Sequence, residues 1–179
     1  DCMLGTLPPF HSFGLLLNVM MPACTRLRVV YHANPTEADM LARLIAAYRV
    51  TMAVGTPTFI GNILRNAGDS QAASVRVVIT GAEKCSDAIY ELIRRKCPDA
   101  IVLEGYGITE CGPIVALNKP GAVKAGTIGH PLDCMEWLLL DEQGKIIREA
   151  GKTGMLLVRG PNIFHGYIHF DGESPFVEK

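Results

Sequence analysis

The sequence predicts an α/β fold, a mostly parallel sheet flanked by helices, followed by a small β-rich subdomain. Three observations carry this. Short apolar segments alternate with helical patterns through the first two-thirds of the chain. Those segments are rich in Val and Ile, as strands buried on both faces are. After about Ala116 helical periodicity fades, and short strands separated by turn residues take over. Regular alternation of strand and helix implies parallel pairing through crossovers. The division is expected at residues 1–116 for the α/β part and 117–179 for an incomplete β-rich part.

The first strand is expected over Met3–Leu7. The longest apolar run, Gly14 to Cys24, follows it and is broken by Asn18 and Pro22. It is shorter than the ~18 residues a membrane span needs, so it reads as a buried helix. A strand over Leu27–Tyr31 comes next. Thr36-Glu37-Ala38-Asp39 has the form of a capping box with Asp in place of Glu or Gln. It opens a helix whose apolar side holds Met40, Leu41, Leu44, Ile45 and Tyr48. Strands follow over Thr51–Val54 and Val75–Thr80. Ser86 or Asp87 caps a further helix, with Ile89, Leu92 and Ile93 inward. Its Arg94, Arg95 and Lys96 sit where the helix dipole favours cations. Ala100–Leu103 is the fifth strand. The β-rich part offers Trp137–Leu140, a turn at Asp141-Glu142-Gln143-Gly144, then Lys145–Arg148, and finally Met155–Arg159 ending at Gly160-Pro161.

Composition narrows the function. The 179 residues are 49% hydrophobic and 20% charged, with a net charge of -1. Such a chain has no global field to attract nucleic acid or an anionic membrane. Six cysteines, Cys2, Cys24, Cys85, Cys97, Cys111 and Cys134, include no C-x-x-C pair. Their spacing suits neither zinc nor a small disulfide framework, and reduced thiols point to the cytoplasm. The five histidines do not fall at metal-ligand spacing either. Asp1-Cys2 is neither an initiator nor the start of a basic leader, and Phe176 to Lys179 carries no stop signal, so a piece of a longer polypeptide is expected.

In open α/β sheets, ligands bind beyond the carboxyl ends of the strands. Three unusual segments fall there: Gly55-Thr56-Pro57-Thr58, Gly81-Ala82-Glu83 and Gly105-Tyr106-Gly107-Ile108-Thr109-Glu110. A glycine after a strand often only makes a turn. As a set they say more. The last combines glycines that allow close backbone approach, a ring able to stack on a base, a hydroxyl and a carboxylate. Hydroxyl plus carboxylate is a common way to place magnesium on a phosphate, because that ion keeps oxygen ligands and several waters. A nucleotide with a metal is therefore expected.

Gly105-Tyr106-Gly107-Ile108-Thr109-Glu110 resembles the Y-G-x-T-E motif of the adenylate-forming superfamily, which includes acyl-CoA synthetases, luciferases and peptide-synthetase adenylation domains. Three further matches occur in the family's order. Leu7-Pro8-Pro9-Phe10-His11-Ser12-Phe13-Gly14 resembles its P-L-F-H-x-x-G segment, and Gly81-Ala82-Glu83 its adenine-flanking turn. Gly154 to Pro161, continuing to Gly166-Tyr167, resembles its G-E-L-x-x-x-G-x-x-x-x-x-G-Y segment, with Met155 in place of the Glu. More narrowly, Leu103 to Cys111, with Gly81 to Lys84 and Thr58 to Asn62, looks like the acyl-ACP synthetase part of the bifunctional 2-acylglycerophosphoethanolamine acyltransferases.

The resemblance implies a fragment of an adenylation domain, an acid-thiol ligase that uses ATP and Mg2+ to activate a fatty acid. The acyl group would pass to acyl carrier protein, linked to lysophospholipid re-acylation; long-chain acyl-CoA synthesis, with CoA as acceptor, and a noncatalytic acyl- or nucleotide-binding module are the alternatives. It also implies a complete protein at the cytoplasmic face of the inner membrane, although this chain has no membrane span and no nucleic-acid partner is expected. By the same resemblance, Thr109 would bond the α-phosphate and Glu110 would hold the metal. Tyr106 would stack on adenine, with Gly81, Ala82 and Glu83 at its edge and Gly105 and Gly107 beside it. His11 would sit near the acyl carboxylate, and Phe10, Phe13, Gly14, Thr56 and Phe59 would line the acyl pocket. Amino-acid-activating members usually carry an Asp in the segment equivalent to His11–Gly14; here there is none, which favours an acid without an amino group. The phosphate loop would lie upstream of Leu7, and the ribose-binding Asp and catalytic Lys beyond Lys179, so the isolated fragment is expected to be inactive.

Overall fold

The computed structural model describes residues 1–177, so the last two residues of the expected β-rich part lie outside it. Five parallel strands form the centre: β1 (Cys2–Gly5), β2 (Arg28–Tyr31), β3 (Met52–Gly55), β4 (Val77–Thr80) and β5 (Ile101–Tyr106). Two short strands, β6 (Ala116–Leu117) and β7 (His130–Pro131), continue the same sheet antiparallel, in the order β2-β1-β3-β4-β5-β6-β7. A second, antiparallel sheet holds β8 (Glu136–Leu140), β9 (Ile146–Ile147) and β10 (Met155–Arg159) in the order β10-β8-β9. The larger sheet therefore runs on to Pro131, past the expected boundary at Ala116.

Strand alternation sorts the core into two faces. Cys2, Leu4, Ala53 and Val78 point to one side, where α3 (Ala38–Tyr48), α4 (Pro57–Asn66) and α5 (Asp87–Lys96) bury Leu41, Ile45, Ile60, Ile63, Leu64, Ile89 and Ile93 against them. Met3, Val54 and Ile79 point to the other side and meet Leu7, Phe13, Leu16 and Leu17. That second face is covered by a continuous helical run: α1 (Ser12–Gly14), a π-helical stretch (Leu15–Met20) and α2 (Met21–Thr25). The run was expected to be buried. Only Gly14, Leu17, Asn18 and Pro22 are; Leu15, Val19 and Met20 face outward, because the run lies on the sheet and no further layer covers it among the described residues. Among the described residues, no helix is long and apolar enough to cross a membrane.

Local chemistry departs from expectation at α3. The Thr36 hydroxyl donates to Asn34 Oδ1 (2.7 Å) instead of capping the helix, and Glu37 occupies the N-cap position with no side-chain cap bond. A nearby side-chain acceptor outcompetes the helix end, a usual hazard of Asn and Thr. Met40 and Tyr48, expected inward, are exposed, while Ala38 and Ala42 are buried in their place. A third cluster joins the two sheets: Cys111, Val115, Ala116 and Met135 are buried, with Leu132, Val158 and Ile163 against them.

Candidate active site

β4 and β5 are parallel neighbours with Thr80 opposite Glu104, so the chains leaving their carboxyl ends run side by side. Two glycines make the approach possible. A Cβ on Gly81 would stand 3.1 Å from the Gly105 carbonyl oxygen, and one on Gly107 would stand 1.7 Å from that of Pro113. Between these segments opens a cavity of about 370 Å³. One wall is Ile79 to Ala82, another is Gly105 to Glu110, and Pro113, Ile114 and Leu117 form the floor. His11, Ser12 and Phe13 close it from α1 and the residue before it.

Ala82 adopts φ 66°, a left-handed conformation that an alanine takes at a cost of about 1–2 kcal/mol. Strain of this kind gathers at functional sites. Thr80, 1% exposed, lines the cavity too, and its hydroxyl has no hydrogen-bond partner among the described residues. Glu104, just before the Gly105 loop, is buried. Its carboxylate accepts from the Cys85 N–H (3.1 Å) and the Tyr90 hydroxyl (2.8 Å), which ties the start of α5 to β5.

The expected residues take distinct places. Thr109 and Glu110 start a 3-10 turn (Thr109–Cys111) at the cavity mouth. Thr109 and Ser12 share a hydroxyl–hydroxyl bond of 2.9 Å, which joins the α1 segment to the motif loop. Glu110 accepts a bond from the Tyr167 hydroxyl (2.6 Å), and that bond holds its carboxyl below the ordinary carboxylate range. The same contact raises the Tyr167 phenol. Tyr106 is partly exposed and lines the cavity. His11 lines the cavity and caps α1: its Nδ1 accepts from the Phe13 N–H (3.2 Å), so the neutral ring carries its proton on Nε2.

Other expected residues stand elsewhere. Glu83 turns away and accepts from the Thr58 hydroxyl (2.6 Å) and N–H (3.3 Å) at the start of α4. Thr56 caps the same helix through the Phe59 N–H (3.3 Å). Neither Thr56 nor Phe59 borders the cavity, and Phe10 is 92% exposed. Gly14 is buried, and a Cβ there would stand 2.1 Å from the Pro8 carbonyl oxygen. Its lack of a side chain therefore admits a backbone turn. Of the expected acyl-pocket residues only Phe13 reaches the cavity, beside the apolar Ile79, Ile114 and Leu117.

Sequence reasoning gave no role to Ser12, Thr80, Asn162 or Tyr167. Asn162 Nδ2 donates to the carbonyls of Cys111 (2.5 Å) and Ile114 (3.3 Å), and the Phe164 N–H to that of Glu110 (2.9 Å). The segment after β10 thus fastens the motif loop. Only Tyr167 carried a signal, through its place in the Gly166-Tyr167 pair.

The donor set fits a nucleotide and magnesium. No cluster of three or more His, Cys, Asp or Glu able to hold a metal occurs among the described residues. A single carboxylate beside a hydroxyl suits a cation that takes its remaining oxygens from phosphate and water. The unpartnered Thr80 hydroxyl and the Cβ-free backbone of Gly81 and Gly107 suit a polar, planar ligand pressed close. No cysteine is among the residues that line the cavity; all six are free, and burial pushes Cys85 and Cys97 up to about 11.

The family model described as "AMP-binding enzyme" matches residues 1–168. The chain is 31% identical to a 4-coumarate–CoA ligase of Pinus taeda, over 97% of this chain and 33% of that protein. It superposes with TM-score 0.80 and 28% identity on a long-chain-fatty-acid–CoA ligase of Archaeoglobus fulgidus, covering 93% of this chain and 35% of that one. It superposes equally, with TM-score 0.80 and 25% identity over 95% of this chain and 35% of that one, on the O-succinylbenzoate coenzyme A synthetase of Bacillus subtilis in complex with ATP and magnesium ion. The chain spans about a third of the length of the curated relatives it matches.

Proposed function

Because the chain belongs to the AMP-binding enzyme family, we propose that it forms the adenine, metal and acid side of a site that activates a fatty acid with ATP as its adenylate, for transfer to a thiol. The observation that carries this is the convergence of Tyr106, Thr109 and Glu110 with Gly81 and Ala82 around one cavity at the carboxyl edge of the parallel sheet.

In this reading Tyr106 stacks on adenine while Gly81 and Ala82 follow its edge. Thr109 donates to the α-phosphate, and its bond to Ser12 sets where that hydroxyl points. Glu110 holds magnesium, which when bound offsets phosphate charge as the carboxylate attacks. His11, with its proton on Nε2, donates toward the acyl carboxylate and keeps it in line. Phe13, Ile79, Ile114 and Leu117 supply an apolar wall with no acidic residue, as an acid without an ammonium group requires.

Two acceptors are supported by different observations. The stretches Leu103 to Cys111, Gly81 to Lys84 and Thr58 to Asn62 support acyl carrier protein, and with it lysophospholipid re-acylation. The similarity to a 4-coumarate–CoA ligase and to a long-chain-fatty-acid–CoA ligase supports CoA. Thioester formation by the complete protein with each acceptor separates them.

Glu110→Gln in the complete protein tests the reading as a whole. ATP–pyrophosphate exchange should fall about 100-fold, equivalent to about 3 kcal/mol, with acid binding little changed. Wild-type exchange in that variant would overturn it, as would a wild-type protein that binds ATP and acid yet exchanges nothing.

A further inference from the structure

We infer that Tyr167 is a positioning residue for the metal: it grips one oxygen of the Glu110 carboxylate and leaves the other free to ligate. The inference rests on the reading of Glu110 as the magnesium ligand, and adds to it a residue 57 positions away that nothing in the motif names.

The geometry is specific. The Tyr167 hydroxyl donates to Oε1 of Glu110 at 2.6 Å, and no other side chain bonds that carboxylate among the described residues. Without this contact, a half-buried glutamate on a three-residue turn would sample several rotamers. Tyr167 is itself placed from two sides. Its ring packs edge-on to Phe164 with centroids 4.8 Å apart, and lies 5.0 Å from Phe170. Phe164 is tied in turn to the Glu110 carbonyl through its own N–H. Backbone and side chain of Glu110 are therefore held by the same short segment.

A carboxylate that ligates a metal is usually held by a further hydrogen bond, and losing that bond typically weakens metal affinity 10–100-fold. A phenol suits the task because it donates to Oε1 without bringing a competing charge. Oε2 accepts from no other side chain among the described residues and can turn to the cation. One carboxylate oxygen, held in direction, is what magnesium needs when phosphate and water complete its shell.

The test is Tyr167→Phe in the complete protein, which keeps the ring and removes only the donor. The magnesium concentration for half-maximal ATP–pyrophosphate exchange should rise about tenfold. At saturating magnesium, kcat and the KM for the acid should stay within about twofold of wild type, since the chemistry and acid wall are untouched. An unchanged magnesium requirement would overturn the inference, even if the melting temperature drops, because Tyr167 would then only pack. A second readout needs no turnover. Magnesium binding to the ATP-loaded protein, followed by calorimetry, should weaken about tenfold in Tyr167→Phe; equal affinities overturn the inference. If Tyr167→Phe does not fold, Phe164→Leu serves, because it loosens the packing of the Tyr167 ring while keeping the donor; an unchanged magnesium requirement again overturns it. Should wild type show no magnesium-dependent exchange, the adenylation reading falls, and the calorimetric comparison alone decides whether Tyr167 supports a magnesium site.

Discussion

Gly107→Ala is the sharpest single perturbation the cavity offers. The new Cβ would stand 1.7 Å from the Pro113 carbonyl oxygen, 2.7 Å from its carbon and 2.9 Å from the Ile114 Cα. All three are backbone atoms, so no side chain can swing aside. A carbon keeps about 3 Å or more from such an oxygen, so the loops must part by more than about an ångström. Overpacking of this kind costs about 1–3 kcal/mol of stability. The larger effect should fall on function, because the displaced strip carries Tyr106, Thr109 and Glu110. A misplacement of about 1 Å in a reacting constellation costs about 100-fold in rate. Gly55→Ala is the control: its nearest neighbours, in Ile60 and Phe59, lie at ordinary contact distances of 3.5–3.8 Å. The assay is ATP–pyrophosphate exchange by the complete protein, with thermal unfolding alongside. Gly107→Ala should lose about two orders of magnitude in kcat/KM, and Gly55→Ala should lose little. Wild-type exchange by Gly107→Ala would refute the close approach, and an equal loss in both variants would show that any added methyl in this region is harmful.

Ala82→Gly should raise unfolding free energy by about 1 kcal/mol, because glycine takes the left-handed φ of 66° without penalty; a drop in the denaturant midpoint would contradict this. Stability should hold level up to about pH 9 and fall as pH rises through 11, since Cys85 and Cys97 are raised by burial to about 11 and Tyr90 is raised too, so that folding favours their protonated forms; a denaturant midpoint flat to pH 11 would count against it. An alkylating reagent at pH 8 should modify Cys24 and Cys134 in the folded protein and the buried Cys2, Cys85, Cys97 and Cys111 only after unfolding, as read by mass spectrometry. Exchange rates for acids from acetate to palmitate should rise with chain length, by about 0.8 kcal/mol for each methylene that Phe13, Ile79, Ile114 and Leu117 remove from water; acetate or an amino acid as best substrate would exclude the fatty-acid reading.

What the chain reveals before folding is uneven, and the reason is range. β1, β3 and β4 were legible because strands buried on both faces need unbroken apolar runs, and Val77-Val78-Ile79 can hardly read otherwise. The glycine-rich segments were legible because only a missing side chain permits the approach of Gly81 to Gly105 and of Gly107 to Pro113. Short-range competition hid more. Asn34 draws off the Thr36 hydroxyl, and Met40 and Tyr48 of α3 face outward. β6 and β7, of two residues each, are too short to leave a pattern. The bond from Tyr167 to Glu110 and those from Asn162 to Cys111 and Ile114 join positions about fifty residues apart, and no local pattern announces such pairs. The acyl side was read through a linear segment, yet of Phe10 and Phe13, three residues apart, Phe13 lines the cavity and Phe10 stands exposed outside it.

The clasp formed by Asn162, Phe164 and Tyr167 also has a kinetic consequence. The five parallel strands and the three helices over them draw on neighbouring stretches of chain, and they can condense early. Besides the Ser12–Thr109 bond, the loop from Gly107 to Ile114 is fastened by residues that follow β10, after the smaller sheet has closed. Contacts so distant along the chain repay their loop-closure entropy late. Refolding should therefore proceed in two stages. Burial of the Leu41 and Ile93 core comes first, and protection of the Phe164 amide from hydrogen exchange follows once β8 and β10 have paired.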